Sequence, residues 1–371
     1  MNKVKLGEIL KIKHGFAFKS ENYVDESEYA LVTLANISST NNFQFNKDKT
    51  TFYGASFPND FILKEDDLIM PLTEQVVGLF GNTAFVPKMQ GITFVLNQRV
   101  GKVVPVDDKA DKYYLHYLLA TNLVKDQLEF RASGTRQRNI SPDDVYDVEV
   151  FLPDITTQRK IGKCLYDIEK KVNLNNAIND NLASMAYDIY MHTFFSKKPN
   201  GKLKDILIEA DKSSVQVGEA KQSTGEYPFF TSGSAILKWD IPFINGRNCF
   251  LNTGGNADVK FYVGEAAYST DTWCISTNNN MSDYLYLLLV SIKPELNQKF
   301  FQGTGLKHLQ KPLLKDRPIY IPDFEKLKTF NEQVNPMFNI ISENTRENQA
   351  LITLRDWILP MLMNGQATNS D

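Results

Sequence analysis

The chain has 371 residues, 42% of them hydrophobic and 23% charged, a balance that excludes a disordered polymer and gives two or three well-filled domains. A formal net charge of -3 excludes a uniformly basic nucleic-acid coat, although a local basic face can act inside a near-neutral whole and a partner can add positive charge. Three unpatterned cysteines (Cys164, Cys249, Cys274) exclude a disulfide framework and a Cys-based zinc site, and no apolar run of about 18 residues offers a membrane span, so a reducing cytoplasm is the expected setting.

In chain order, a basic loop comes first: Lys11, Lys13, His14 and Lys19. The segments 61–72 (FILKEDDLIMPL), 82–87 (NTAFVP) and 99–106 (RVGKVVPV) read as strands, and 113–130 (YYLHYLLATNLVKDQLEF) as an amphipathic helix. A Gly-Thr turn follows at Gly134-Thr135, surrounded by Arg131, Arg136 and Arg138. Residues 156–193 then contain no proline. With Ile161 at position a, the a-sites are Ile161, Ile168, Asn175, Leu182 and Ile189, and the d-sites Leu165, Val172, Asn179 and Ala186, a heptad rod.

The same order then repeats. KLGEIL at 5–10 returns as KLKDIL at 202–207, a shift of 197 residues. Segments 248–255, 259–270 and 273–277 read as strands and 284–292 as a helix. The second Gly-Thr turn, Gly303-Thr304, lies 169 residues after the first and is followed by Lys307, His308 and Lys311. The shift of 169 also carries Leu152-Pro153-Asp154 onto Ile321-Pro322-Asp323, and the rod onto Phe330, Val334, Met337, Ile341, Asn344, Asn348, Leu351, Arg355 and Ile358. The order is A-B-A′-B′: the rods align without a gap, whereas the A segments differ by 28 residues, the difference of the two shifts.

Each rod must bury its stripe, and the other rod is the nearest candidate. If the two lie antiparallel, Asn175, Asn179, Asn344 and Asn348 meet near the centre and fix the register; the alternative is that they face solvent where the stripe drifts. Pro336 predicts a bend near Asn335, or a short helix followed by a long one, and Pro360 either ends the second rod or kinks it. The expected fold is α+β: two mixed α/β domains joined by two long helices in an antiparallel coiled coil, with a pseudo-twofold repeat. The boundaries fall at 1–152, 153–199, 200–322 and 323–364, with a disordered tail at 365–371. The helix pair is expected to expose apolar surface for partners.

Lys and Arg on loops suit phosphate contacts, and the abundant loop Asn, Ser, Thr and Gln suit base edges, although both are also ordinary surface residues. Catalytic patterns are thin. There is no Asn/Asp-Pro-Pro-aromatic motif, no phosphate loop, and the four histidines are too scattered to ligate a metal. Pro153-Asp154 followed by Glu169-Lys170-Lys171 matches a metal-nuclease pattern only on paper, since Glu169 and Lys171 fall on a helix. Neither a cofactor nor a metal is expected.

The words ASGTRQRNIS and LPDITTQRKI, with Gln158 and Ile161, together with GFAFKSENY and DDLIMPLTE, resemble the specificity subunits of type I restriction–modification systems over nearly the whole chain. The resemblance implies two target recognition domains, each reading half of a split site in double-stranded DNA. It implies helices that set the spacer, two methyltransferase subunits bound to them, motor–nuclease restriction subunits joining for cleavage, and no catalytic centre in this chain. Leu327 in place of Gln158, and Pro336, are departures in the second copy. The competing expectation is a non-catalytic protein-binding scaffold with two α/β domains on a coiled-coil spacer. Binding to DNA that weakens steeply with salt separates the two.

Overall fold

The structure, a computed structural model, describes residues 2–75 and 77–363. The described residues form two compact units, one within 1–170 and from 352 onward, the other within 171–351. The expected tail at 365–371 lies outside the described residues. Among them, no helix is long and apolar enough to cross a membrane.

In the first unit, a four-stranded antiparallel sheet runs Leu10–His14, Val100–Pro105, Leu68–Pro71, Ala84–Phe85. A second sheet runs Tyr23–Val24, Phe52–Tyr53, Tyr29–Val32, Thr93–Leu96, its last pair parallel. Strand Asn2–Lys5 pairs with Glu149–Leu152 and so closes the beginning of the domain onto its end. The helix expected over 113–130 is two helices, Lys112–Leu119 and Asn122–Arg131. Thr121 takes an extended backbone between them, and its hydroxyl donates to the Leu118 carbonyl at 2.7 Å, the local bonding by which Thr competes with a continuing helix.

The second unit repeats this frame. Its antiparallel sheet runs Leu207–Glu209, Thr272–Thr277, Arg247–Asn252, Val259–Val263, and its companion sheet Ile236–Trp239, Tyr227–Phe230, Ala267–Tyr268, again with the last pair parallel. Gly201–Lys202 pairs with Pro318–Ile319, as Asn2–Lys5 does with Glu149–Leu152. The strand expected over 259–270 breaks at Gly264, whose φ of 131° turns the chain from one sheet to the other. Much of the extra length of the first copy lies between the matched strands ending at Val32 and beginning at Leu68. There the second copy connects Phe230 to Arg247 with a shorter segment.

The long helices are α1, Ile155–Thr193, and α2, Phe324–Met363. Their starts differ by the repeat shift of 169, and each start is capped by the preceding aspartate. Asp154 accepts from the Thr157 amide and Asp323 from the Lys326 amide, both at 3.0 Å. Every heptad position named above is buried or half-buried, while 173, 174, 176–178, 180 and 181 are exposed. In the second unit Asn175 donates to Asn348 at 2.9 Å and Asn344 to Asn179 at 2.8 Å, so one helix ascends as the other descends. In the first unit Ile161 and Leu165 of α1 share a core with Leu362 and Met363 of α2.

Neither proline divides α2. Pro336 stands exposed between the buried Val334 and Phe338, whose packing holds the helix through it, and the helix continues past Pro360 to Met363. The expectation of a short helix followed by a long one is therefore corrected.

Candidate nucleic-acid interface

The repeated Gly-Thr turns are the tips of matched hairpins. In the first unit Ser133 bridges Asn139; in the second Gln302 pairs with His308, each residue 169 later. Gly134 and Gly303 have φ of 106° and 154°, and a Cβ on either would lie within 2.5 Å of a carbonyl oxygen, of Gln137 or Leu306, so glycine is required at both.

Each hairpin is braced by the loop that leaves the strand third in the antiparallel sheet. In the first unit Thr73–Glu74 pairs with Arg138–Asn139. Glu74 is fully buried and accepts from the amides of Leu79 and Phe80, at 2.9 and 3.2 Å, and from Arg138 at 2.9 Å. In the second unit the Gly255 amide donates to the Lys307 carbonyl and the Leu309 amide to Thr253, both at 2.9 Å. DDLIMPLTE, which ends at Glu74, and the segment 248–255 were read from the sequence, but not as braces for the hairpins. Their signals were the Gly-Gly pair at 254–255 and the buried-acid position Glu74 inside an apolar run.

The expected DNA-contact residues separate by what they touch. Arg138 is bound to Glu74, to Glu129 and to the Glu129 carbonyl, and is half-buried. Arg131 donates to the carbonyls of Gln127 and Asp147, closing its helix end. Lys11 and Lys13 share one face of the edge strand Leu10–His14. Lys11 donates to the Gly7 carbonyl and lies over Tyr146, and Lys13 donates to the Asp60 carbonyl and lies over Phe61. Lys311 is half-buried over Trp273; burial lowers the pKa of its ammonium below the ordinary lysine value despite the pull of Glu209.

His14, Arg136, Lys307 and His308 are exposed, and among the described residues their side chains make no ion pair; Lys19 is exposed with only a 3.8 Å contact to Glu21. Arg136 and Lys307 project from the two hairpin tips. Two exposed apolar side chains join them: Leu306 at the second tip, 65% exposed, and Phe130 beside the first, 90% exposed. The longer connection of the first unit adds a cleft of about 720 Å³ lined by Asn36, Ser38, Gln44, Asn46 and Lys49.

The nuclease-like residues have other work. Asp154 caps α1, and Glu169 is largely buried, accepting from the Tyr117 hydroxyl at 2.9 Å. Among the described residues no group of three or more His, Cys, Asp or Glu is arranged to hold a metal. The hairpins carry cations, amides and apolar side chains on tips braced by backbone pairing, groups suited to holding phosphate and touching base edges.

The family model described as "Type I restriction modification DNA specificity domain" matches residues 1–184 and again 196–352. The chain is 20% identical over 313 residues to the type I restriction enzyme MjaIX specificity subunit of Methanocaldococcus jannaschii, covering 73% of this chain and 72% of that protein. It is 24% identical over 177 residues to the MjaVIII specificity subunit of the same organism, covering 46% of this chain and 40% of that protein. Its fold is similar to the crystal structure of the type I restriction–modification S subunit from M. genitalium, with a TM-score of 0.66, 13% identity, and coverage of 98% of this chain and 96% of that one.

Proposed function

This chain belongs to the type I restriction–modification DNA specificity family, in which the specificity subunit recognises DNA sequence and carries no catalytic centre, and from that premise we propose that it reads a bipartite target. One half-site falls to residues 1–152 and the other to residues 200–322, and the helix pair fixes the unspecific gap between them. The same helices recruit two methyltransferase subunits, and restriction subunits join that assembly.

The observation that carries this reading is the matched hairpin with unlike ends. The two hairpins align residue for residue at a shift of 169, yet one tip reads Thr-Arg-Gln-Arg and the other Thr-Gly-Leu-Lys. Such a frame keeps the approach to the double helix while the tip groups differ, Arg136 and Gln137 in one copy and Leu306 and Lys307 in the other, with Arg138 turned to Glu74. The paired asparagines of α1 and α2 support a fixed register, because a one-heptad slip would leave their buried amides unpaired. A fixed register gives a fixed gap.

Co-expression with a methyltransferase partner and mapping of the methylated positions tests the reading. The expected result is a two-part motif with a constant gap, and a heptad deleted from both helices changes the gap while both half-sites stay the same. A single continuous motif, or an unchanged gap in the deletion variant, overturns it. Binding that ignores salt would favour the protein scaffold instead.

A further inference from the structure

The second hairpin carries an apolar side chain at its tip. Leu306 is 65% exposed, yet it is not on a slack segment. The turn is set by Gly303, the strands Phe301–Gln302 and His308–Leu309 close below it, and the loop 253–255 braces it through the Gly255-to-Lys307 and Leu309-to-Thr253 backbone bonds. Leu306 Cδ2 lies 3.8 Å from the place a Cβ on Gly254 would occupy, so the side chain rests beside a bare glycine loop that leaves room for a close approach. Its neighbours Lys307 and His308 are exposed and make no ion pair among the described residues.

The matched position of the first hairpin, 169 residues earlier, is Gln137, whose amide donates to Asn139 at 3.3 Å. One frame thus presents an amide in the first copy and an isobutyl group in the second. In the major groove the one apolar feature of a base edge is the C5-methyl group of thymine; the minor groove has none. We propose that Leu306 is a specificity-determining residue that reads a thymine methyl group in the major groove of the second half-site, while Lys307 holds the adjacent phosphate. The proposal rests on the DNA-reading function above and adds the chemical feature that is read.

The test uses the full chain with its methyltransferase partner and duplexes carrying the mapped site. Each thymine of the site, on either strand, is replaced singly by deoxyuridine, which keeps every hydrogen-bonding group and removes only the methyl. The expected result is one position where the replacement weakens binding about four-fold, the equivalent of one buried methyl-sized group. Leu306→Ala abolishes that difference, and Leu306→Ile, which keeps an apolar contact, retains it.

A flat deoxyuridine scan with specific binding intact overturns the proposal and leaves the DNA-reading function standing. So does an undiminished thymine preference in Leu306→Ala. A loss in Leu306→Ala that is equal on thymine and deoxyuridine duplexes identifies a wedge between base steps and also overturns it. Absence of specific binding to any duplex overturns the proposal together with the function it rests on, and shows itself before any base is replaced.

Discussion

The two copies seat their domains on the long helices by opposite chemistries. Gln158 and Glu169 of α1 stand 169 residues before Leu327 and Phe338 of α2. In the first unit Gln158 is buried with its amide fully used: it accepts from the Asp111 amide at 3.1 Å and donates to the carbonyls of Lys109 and Pro153 at 3.1 and 2.9 Å. Glu169 holds Tyr117, and its carboxylate lies 3.4 Å from Nε2 of the buried His116. In the second unit Leu327 and Phe338 join an apolar cluster with Phe194, Tyr284, Phe330 and Val334, and Phe338 packs edge-on against Phe261 and Tyr286. A repeat therefore preserves where two elements meet more strictly than how. Hydrogen-bonded and ion-paired polar groups, and close-packed rings, can both fill a buried seat, but only the polar seat depends on pH.

The largest expected effects break one seat or one brace at a time. Phe338→Ala should destabilise the chain by about 3–5 kcal/mol, because the edge-on rings around it cannot collapse into the space. Arg138→Ala should cost a similar amount, about 3–5 kcal/mol, by stranding the buried Glu74. The matched substitution one repeat later, Lys307→Ala, should change stability little, since that side chain is exposed and has no ionic partner among the described residues. Urea unfolding of the three variants checks all of this, and equal losses for Arg138→Ala and Lys307→Ala would show that the hairpins are braced alike.

The polar seat gives a smaller, pH-dependent effect. Burial pushes the Glu169 carboxyl up, but His116, the Tyr117 hydroxyl and Arg355 together bring it below the ordinary value of 4.5. A carboxylate held below its unfolded pKa adds stability that is fully present above that unfolded value and is lost as pH falls through the folded one. Glu169→Gln should therefore lower stability by about 1–3 kcal/mol at neutral pH, with the difference from the natural chain shrinking below pH 4.5. A difference that stays constant down to low pH would mean that the charge of Glu169 contributes nothing to the seat. Phe338→Leu, measured across the same range, should show no such slope.

Much of this frame was legible in the sequence, for a physical reason. Heptad spacing is a requirement of the backbone period, so Ile161, Leu165, Asn175 and their counterparts identified both helices, while the meeting of the asparagines was expected only on condition that the helices run antiparallel. A left-handed turn needs glycine, so Gly134 and Gly303 marked both hairpins. What stayed hidden depends on tertiary partners. The break at Thr121 turns on one hydroxyl, and the continuity of α2 through Pro336 on the packing of Val334 and Phe338. Among the basic residues, charge alone does not distinguish the Arg138 that braces a loop from the Arg136 that projects into solvent. That distinction needs Glu74, far away in the chain.

The hairpins give the finest test of the comparison, in the ionic contribution to DNA binding. Arg138 and Lys307 occupy the same repeat position, but the first spends its charge on Glu74 and Glu129, while the second faces solvent with no ionic partner among the described residues. Each phosphate contact releases condensed counterions, so losing one lowers the slope of log K against log salt by about 0.9. Lys307→Ala should show that reduction on the cognate duplex and on unrelated duplexes alike, because a phosphate contact carries no sequence information. Arg136→Ala, at the other tip, should do the same if it holds phosphate, whereas a loss confined to the cognate duplex would place its guanidinium on a base edge. A slope unchanged in both variants would remove the hairpin tips from the DNA interface.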